Sequence, residues 1–163
     1  MALQKTRGGR ILMRKELGEF MESSDYLLHA DMWNLKKFPT KANVINCGLG
    51  ESNLLNIAGG LASQGKTVYV YGVAGFIIHR FEQLKFSCKH FGAKKGKIII
   101  CNAGKYGYDK LGIGHSLDDD EPLMWSLNVP FFEAANLSSL KHILGIIKNK
   151  DNGMYYIQLG REK

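Results

Sequence analysis

The residues with the clearest chemical potential form one short stretch, Asn46-Cys47-Gly48-Leu49-Gly50-Glu51-Ser52-Asn53. The apolar run Val44-Ile45 ends there at a glycine turn, and Glu51 opens a helical pattern. Glycine lets another backbone or a ligand approach closely, and a helix N-terminus stabilises a carboxylate through its dipole. The residues alone therefore leave two roles open for Glu51, an ordinary helix-start residue or a catalytic acid–base.

The helix behind Glu51 is predicted from its apolar spacing. Leu54, Ala58 and Leu61 recur at i, i+4 and i+7, and Gly65 is a suitable residue to follow the helix end. These positions predict a helix over 51–64 that presents Glu51 in its first turn.

Further candidate residues follow other predicted strands. Asp31 follows a strand at 26–30, and Phe76 follows a strand at 67–71 after a turn bracketed by Gly72 and Gly75. A strand at 97–101 ends at Asn102, before a glycine-rich loop over 103–121, and loops of this length are often functional. The remaining predicted elements are short strands at 43–46, 129–133 and 154–159 and helices at 11–22, 76–90 and 137–147.

Alternating strands and helices with short connections predict an α/β fold with three layers, in which helices cover both faces of a mainly parallel sheet. Ligands of such sheets collect outside the carboxyl ends of the strands. Asp31, Glu51, Phe76 and the 103–121 loop all follow strands, so we expect them to share one edge of the sheet.

Length and composition indicate one globular domain. The chain has 163 residues, of which 45% are hydrophobic and 23% charged. Residues 1–10 are predicted to be a flexible lead-in and 11–163 the domain. No apolar run approaches the roughly 18 residues of a membrane span, and no signal-peptide core follows the basic start. We therefore expect a cytoplasmic protein without a membrane partner, whose three cysteines are buried or free thiols in a reducing compartment.

The formal net charge of +7 raises the possibility of a nucleic-acid partner. The lysines are scattered, however, with local clusters at 89–97 and 36–41, and no nucleic-acid-binding motif accompanies them. We expect a solvated surface or contacts with an anionic partner and no nucleic acid; a phosphorylated substrate is compatible with this charge. Dinucleotide, P-loop, paired-histidine zinc and Gly-x-Ser-x-Gly motifs are all absent, so no metal ligand set is predicted.

Several stretches, in a consistent order from about residue 10 to 161, resemble the pyrimidine-binding (Pyr) domain of the transketolase group of thiamine-diphosphate enzymes. The segment 48–65 is similar to the family's G-I-x-E-Q-N and A-x-G-L-A-x-x-G, and Phe76 with 79–83 to its phenylalanine and R-x-Y-D/E-Q helix. Residues 106–120 are similar to its G-x-x-G-P-T-H…E-D loop, 128–130 to I-P-N-M, and 155–161 to Y-I-R-L-x-R.

The resemblance implies roles for individual residues. Glu51 stands where the family hydrogen-bonds N1′ of the cofactor aminopyrimidine and exchanges a proton there, which leads to deprotonation of thiazolium C2. Phe76 stands where an aromatic ring stacks on the pyrimidine, and His115 where a histidine faces substrate. Asp31, His79 and Arg80 are further expected cofactor contacts, although Asp31 equally suits a strand-end turn, and either His79 or Arg80 matches the family's polar position.

Three departures from the family pattern concern the substrate. Ser52 replaces the glutamine after the glutamate, Ile113-Gly114 replaces P-T before the histidine, and Leu111 stands where sugar-phosphate transketolases carry an aspartate. The last change argues against a standard pentose phosphate.

The family holds the diphosphate and its Mg or Ca ion on a separate PP domain, whose G-D-G motif this sequence lacks. The resemblance therefore implies thiamine diphosphate shared with a PP partner domain or subunit, a homodimer through Pyr domains, a sugar phosphate or other small-molecule substrate, and no turnover by this chain alone. Two alternatives remain: a degenerate Pyr domain that only dimerises or regulates, and a fragment like a 2-oxo acid dehydrogenase β-subunit.

For the other polar and aromatic residues we expect ordinary roles. His29, His90 and His142 are predicted to be structural, and Trp33 and Trp125 to serve packing or an interface. The charge run 118–121 is expected to be solvated or to cap the short helix that follows it, about one turn over 122–126.

Overall fold

The structure is a computed structural model that describes residues 12–103 and 120–160. Within these ranges the chain forms a six-stranded sheet in the order β2-β1-β3-β4-β6-β5, and every strand pair is parallel. The strands are β1 (Tyr26–His29), β2 (Asn43–Asn46), β3 (Thr67–Val73), β4 (Lys97–Ala103), β5 (Phe131–Ala134) and β6 (Gly153–Leu159). The predicted α/β class with a mainly parallel sheet is confirmed.

Helices cover both faces of this sheet. They are α1 (12–20), α2 (Glu51–Ser63), α3 (Ala74–Ile78), α4, which begins as Phe81–Gln83 and continues as the π-helix Leu84–Phe91, α5 (Asp120–Ser126) and α6 (Leu137–Lys148). A 3₁₀ turn, Gly92–Lys94, joins α4 to β4.

Two apolar cores explain the three layers. Alternate residues of β4 point to opposite faces: Ile98 and Ile100 pack with α2, α3, α4 and α5, whereas Ile99 packs with α1, α6 and the 32–42 connection. All three isoleucines are buried, as expected for the central strands of a parallel sheet.

The sheet order creates a point where successive connections leave in opposite directions. From β1 the chain moves to β2 on one side, and from β2 it returns past β1 to β3 on the other. Ligands of parallel α/β sheets bind at the carboxyl edge near such a reversal. The ends of β2, β1 and β3, which precede Glu51, Asp31 and Phe76, lie at this place.

Some predicted boundaries are wrong. Gly72 lies inside β3 and Gly75 inside α3, so they do not bracket a turn, and β4 continues past Asn102 to Ala103. The predicted helix over 76–90 is two helices with a break at 79–80. β5 starts at Phe131, two residues later than predicted, and α5 starts at Asp120 instead of 122.

The π-helical part of α4 packs closely on α2. A Cβ at Gly59 would collide with the Ser87 backbone, and one at Gly92 would lie 2.7 Å from the Gly59 carbonyl oxygen. The Ser87 hydroxyl donates to Asn56 Oδ1 at 2.6 Å, which fixes the crossing on its exposed side. Glycine at 59 therefore sets how near α4 comes to α2.

No described helix is both long enough and apolar enough to cross a membrane. The three cysteines are free thiols, as predicted; Cys88 and Cys101 are buried, and Cys47 is half-buried.

Candidate functional site

The turn between β2 and α2 has the geometry that its glycines suggested. Gly48 adopts a φ of 61°, a conformation that favours glycine, and its N–H donates to Asn46 Oδ1 at 3.0 Å. The Cys47 N–H donates to the His29 carbonyl oxygen at 2.9 Å, which ties the turn to the end of β1. Leu49 projects from the turn with 85% of its surface exposed.

Glu51 is the first residue of α2 and is half-buried at the carboxyl edge of the sheet. Gly50 precedes the helix without a side-chain cap, and the Glu51 carboxylate has no hydrogen bond or ion pair with any residue that the structure describes. The carboxylate is thus held near the edge at which parallel α/β sheets usually bind ligands, and no described residue binds it.

Asp31 is committed to the turn after β1. It has a φ of 54°, its N–H donates to Asn46 Oδ1 at 3.1 Å, and its Oδ1 accepts from Asn46 Nδ2 at 3.1 Å. Because Asn46 also binds the Gly48 N–H, one amide joins the turns that follow β1 and β2. The strand-end role considered for Asp31 is present; its cofactor contact stays a prediction.

His29 closes the carboxyl end of β1 and is buried, as predicted for a structural residue. Its Nδ1 accepts hydrogen bonds from the N–H groups of Met32 at 3.1 Å and Trp33 at 3.2 Å. Burial lowers the pKa of His29, although nearby Asp31 acts in the opposite direction. The neutral imidazole is therefore the form that this loop requires.

Phe76 lies in α3, directly after β3, and is half-buried. The end of β3 is two strands from that of β2, or about 10 Å at the usual strand spacing, so Phe76 and Glu51 belong to the same part of the edge. His79 and Arg80 are both exposed at the break between α3 and α4. The structure does not decide which of the two serves a ligand, and His115 lies outside the described residues.

Arg14 is a charged residue of the site region that the sequence reasoning missed. Its guanidinium carbon lies 4.7 Å from the Phe38 ring centroid and 4.6 Å from that of Tyr71. The Nε atom is buried without a hydrogen-bond partner, and Arg14 pairs with no carboxylate among the described residues. The helical spacing of Met13 and Leu17 placed one face of α1 in the core, but only the fold brings Phe38 and Tyr71 to Arg14.

Asp120 is a second residue that the sequence reasoning misjudged. The charge run was predicted to be solvated or to cap a helix. The prediction of a solvated side chain is wrong for Asp120, because this residue is only 4% exposed. Its Oδ2 accepts from the Tyr156 hydroxyl at 3.1 Å and from Gln158 Nε2 at 3.0 Å, and Oδ1 accepts from the Glu121 N–H at 3.1 Å. Burial raises the pKa of Asp120, while these donors oppose that rise. No motif of adjacent residues signals a contact made across 38 positions.

A cavity lined by described residues lies away from this edge. It measures about 570 Å³ and lies at the amino edge of the sheet, beside the first residues of β5 and β6 and the 66% exposed Trp125. Trp33, by contrast, is packed as predicted, and its Nε1 donates to the Phe38 carbonyl oxygen at 2.8 Å. No group of three or more possible metal ligands occurs among the residues that the structure describes.

The described fold defines an α/β domain with a ligand edge at the carboxyl ends of parallel strands. Solved transketolases share it: a split-gene transketolase in an inactive β4 tetramer matches with a TM-score of 0.68 and 28% sequence identity, over 96% of this chain and 51% of that one. A transketolase from Campylobacter jejuni subsp. jejuni NCTC 11168 matches with a TM-score of 0.67 and 15% identity, over 93% of this chain and 25% of that one. No protein-family model and no curated protein matches the sequence.

These likenesses confirm the resemblance to a transketolase-family Pyr domain that the motifs indicated: this chain shares the fold of solved transketolases. It spans about half of the split-gene protein and a quarter of the other transketolase.

Proposed function

We propose that this chain is the Pyr domain or subunit of a transketolase-like, thiamine-diphosphate-dependent transferase of two-carbon ketol or acyl units. The observation that carries the proposal is Glu51, a half-buried carboxylate that starts α2 at the ligand edge and binds no described residue. The Gly48 turn before it is open, since a Cβ added at Gly48 would meet nothing within 4 Å.

The residues present fit the aminopyrimidine half of thiamine diphosphate. When bound, the cofactor supplies the thiazolium carbon that carries the two-carbon unit. Glu51 holds and moves the proton at pyrimidine N1′, and Phe76 offers a half-buried ring for stacking, worth about 0.5–1.5 kcal/mol beyond its burial. Asp31, with His79 or Arg80, completes the cofactor contacts in this proposal, and His115 faces substrate.

The other half of the cofactor site belongs to a partner. In this proposal a PP domain or subunit holds the diphosphate and its Mg or Ca ion, and Pyr domains pair in a homodimer. The split-gene transketolase that this chain resembles supports such an arrangement, because it too is divided between chains and forms a β4 tetramer that is inactive. This chain alone is therefore expected to be inactive.

Arg14 supports an anionic group on the substrate. Its guanidinium lies against the rings of Phe38 and Tyr71, and it forms no ion pair with a carboxylate among the described residues. Arg14 is half-buried and its Nε atom is closed off without a partner, which is costly for a cation, and an anionic ligand such as a sugar phosphate offsets that cost. A phosphorylated or carboxylated small molecule is thus the substrate class that we propose.

The alternative is a degenerate Pyr domain that only dimerises with or regulates a related enzyme. Ser52 and Leu111, which depart from the family pattern, favour it. Transfer activity of the assembled proteins distinguishes the two.

The test is transfer of a two-carbon unit from a ketose phosphate by this chain mixed with its PP partner. We expect turnover with the wild-type chain and a loss of at least about 100-fold in Glu51→Gln, since acid–base groups contribute about 10²–10⁴-fold. Glu82→Gln, which changes an exposed glutamate in the first turn of α4, is the matched control and should keep full activity. Activity that survives Glu51→Gln would show that the assigned role is wrong.

A further inference from the structure

The amide of Gln158 has a fixed orientation at the carboxyl edge of β6. Its Nε2 donates to Asp120 Oδ2 at 3.0 Å, on the same oxygen that accepts from the Tyr156 hydroxyl. A carboxylate only accepts hydrogen bonds, so it selects the nitrogen end of the amide. The other end of the amide, Oε1, must therefore point away from Asp120.

Gln158 Oε1 is left as an accessible acceptor. Gln158 is half-buried, and Oε1 makes no hydrogen bond with any described residue. It is also not one of the described atoms that are buried without a partner, so ligand atoms can reach it. By binding Nε2, Asp120 thus leaves Gln158 Oε1, a hydrogen-bond acceptor, facing the edge of the sheet.

A second unpartnered amide lies next to Gln158. Asn102 is in register with Gln158 across the β4–β6 pair and shares its face of the sheet. Asn102 is fully buried, and neither its Nδ2 nor its Oδ1 has a hydrogen-bond partner. Burial raises the pKa of the Tyr156 hydroxyl and nearby Asn102 opposes that rise, but no well-formed hydrogen bond joins the two side chains. Leaving a buried amide unpaired costs about 1–3 kcal/mol. Because both of its polar atoms are closed to solvent, Asn102 lies beside the subsite and does not itself contact a ligand.

The surrounding charge indicates what kind of ligand fits. The exposed Glu133 is in register with Gln158 on β5, and the exposed Glu121 follows Asp120. None of these three carboxylates pairs with a lysine or arginine in the described parts of the chain. A phosphate or carboxylate is repelled here, whereas an uncharged hydroxyl group donates to Oε1.

We propose that Gln158, oriented by Asp120 and flanked by Asn102, is a subsite for an uncharged hydroxyl group of the substrate. The end of β6 is two strands from that of β3, about 10 Å along the edge from the helix of Phe76, so the group belongs to the part of the substrate distant from the cofactor. This assignment rests on the proposed function. Asp120 is a positioning residue, since it acts through the amide of Gln158.

The first test is a titration of the ¹⁵N-labelled full-length chain with xylitol, a neutral polyol, followed by NMR at pH 7.5. The side-chain amide signals missing from Gln158→Leu identify Gln158, and we expect them to shift with xylitol and not with inorganic phosphate. Gln158→Leu should weaken xylitol binding about 5-fold, the effect of one lost neutral hydrogen bond. Gln64→Leu, a change in an exposed glutamine beyond the end of α2, should leave binding unchanged. Equal responses to phosphate and xylitol, or no response to xylitol, overturn the assignment.

Asp120→Asn tests the orienting role without changing Gln158. An asparagine amide has its own donor, so it no longer selects one end of the Gln158 amide. We expect xylitol affinity to fall in Asp120→Asn and not to fall further in the double variant with Gln158→Leu. Additive losses would show that Asp120 acts independently of Gln158 and would reject its positioning role.

Asn102→Leu separates ligand binding from folding. Because the amide has no partner in the fold, an apolar side chain of similar size should leave the melting temperature unchanged or raise it. Xylitol binding should stay unchanged, since no polar atom of Asn102 is open to a ligand. A clear drop in melting temperature would show that the fold itself uses the amide, and weaker xylitol binding would contradict a subsite formed by Gln158 alone.

In the assembled enzyme, Gln158→Leu should raise the KM of a four- or five-carbon aldose acceptor about 5-fold and leave kcat unchanged. The KM of glycolaldehyde, which is too short to reach the subsite, should not change. An equal rise for both acceptors overturns the subsite. Loss of all transfer activity with retained xylitol binding would contradict the proposed function and leave the subsite standing, so the two failures are distinguishable.

Discussion

At the scale of single residues, the sequence located Glu51 but could not assign its role. The glycine turn and the start of α2 were both predicted, because they depend on neighbours in sequence. What only the fold supplied is the state of the carboxylate, which no described residue binds. The contacts of Asp120 and Arg14 were not predicted, because their partners Tyr156 and Phe38 are distant in sequence and no local pattern indicates such contacts.

His29 gives a prediction about pH at this scale. Burial lowers the pKa of His29 in the folded protein, so the unfolded chain takes up the proton first as the pH falls through about 6.5. Stability contributed by neutral His29 is thus present above pH 6.5 and is lost at lower pH, by at most about 1 kcal/mol at pH 5.5.

The measurement is urea unfolding at pH 7.5 and 5.5 for the wild type and His29→Asn. The variant keeps an acceptor for the N–H groups of Met32 and Trp33 but does not titrate. We expect a smaller loss of stability with falling pH in the variant. Comparing the two proteins cancels the effects of Asp25 and Asp120, whose pKa values burial raises. Equal losses in the two proteins would contradict this account of His29.

At the scale of elements, periodicity predicted which segments are strands and helices, and it failed where packing decides the detail. The strand pattern of Ile98–Ile100 and the helix behind Glu51 follow from residue types alone. The sequence pattern did not predict that the 76–90 helix is divided, or that its second part is a π-helix. The close approach of α4 to Gly59 is likewise visible only in the fold.

Gly59 and Gly60 provide a matched pair for that crossing. Gly59→Ala should destabilise the protein by about 1–3 kcal/mol, because the added methyl group collides with the Ser87 backbone. Gly60→Ala meets nothing within 4 Å and should stabilise it by about 0.5–1 kcal/mol, the usual gain from replacing glycine inside a helix. Chemical denaturation measures both, and a neutral Gly59→Ala would show that α4 does not depend on the close approach.

At the scale of the whole molecule, the order of strands could be predicted only as far as "mainly parallel". Residue patterns show which strands are buried, but not that β3 crosses past β1 or that β6 lies between β4 and β5. Since that order decides which strand ends are neighbours, the site could be outlined from the sequence as a shared edge but not arranged along it. The flexible lead-in, the cytoplasmic location and the homodimer remain predictions.

The proposed division of the cofactor between two chains has a direct thermodynamic consequence. This chain alone should show no measurable thiamine diphosphate binding by calorimetry, because it lacks the G-D-G motif that is expected to hold the diphosphate and metal. Addition of the PP partner with Mg should produce binding. Tight binding by this chain alone would refute the two-domain arrangement.

The central claim, that Glu51 is the proton switch of the cofactor pyrimidine, is tested most directly by deuterium exchange at thiazolium C2 in the assembly of this chain, its PP partner and thiamine diphosphate. The wild-type assembly should exchange this proton faster than thiamine diphosphate in solution, and Glu51→Gln should reduce the enzyme-bound rate by at least about 100-fold. The measurement needs no knowledge of the substrate. Equal exchange rates in the wild-type and Glu51→Gln assemblies, with the cofactor bound in both, would contradict the account.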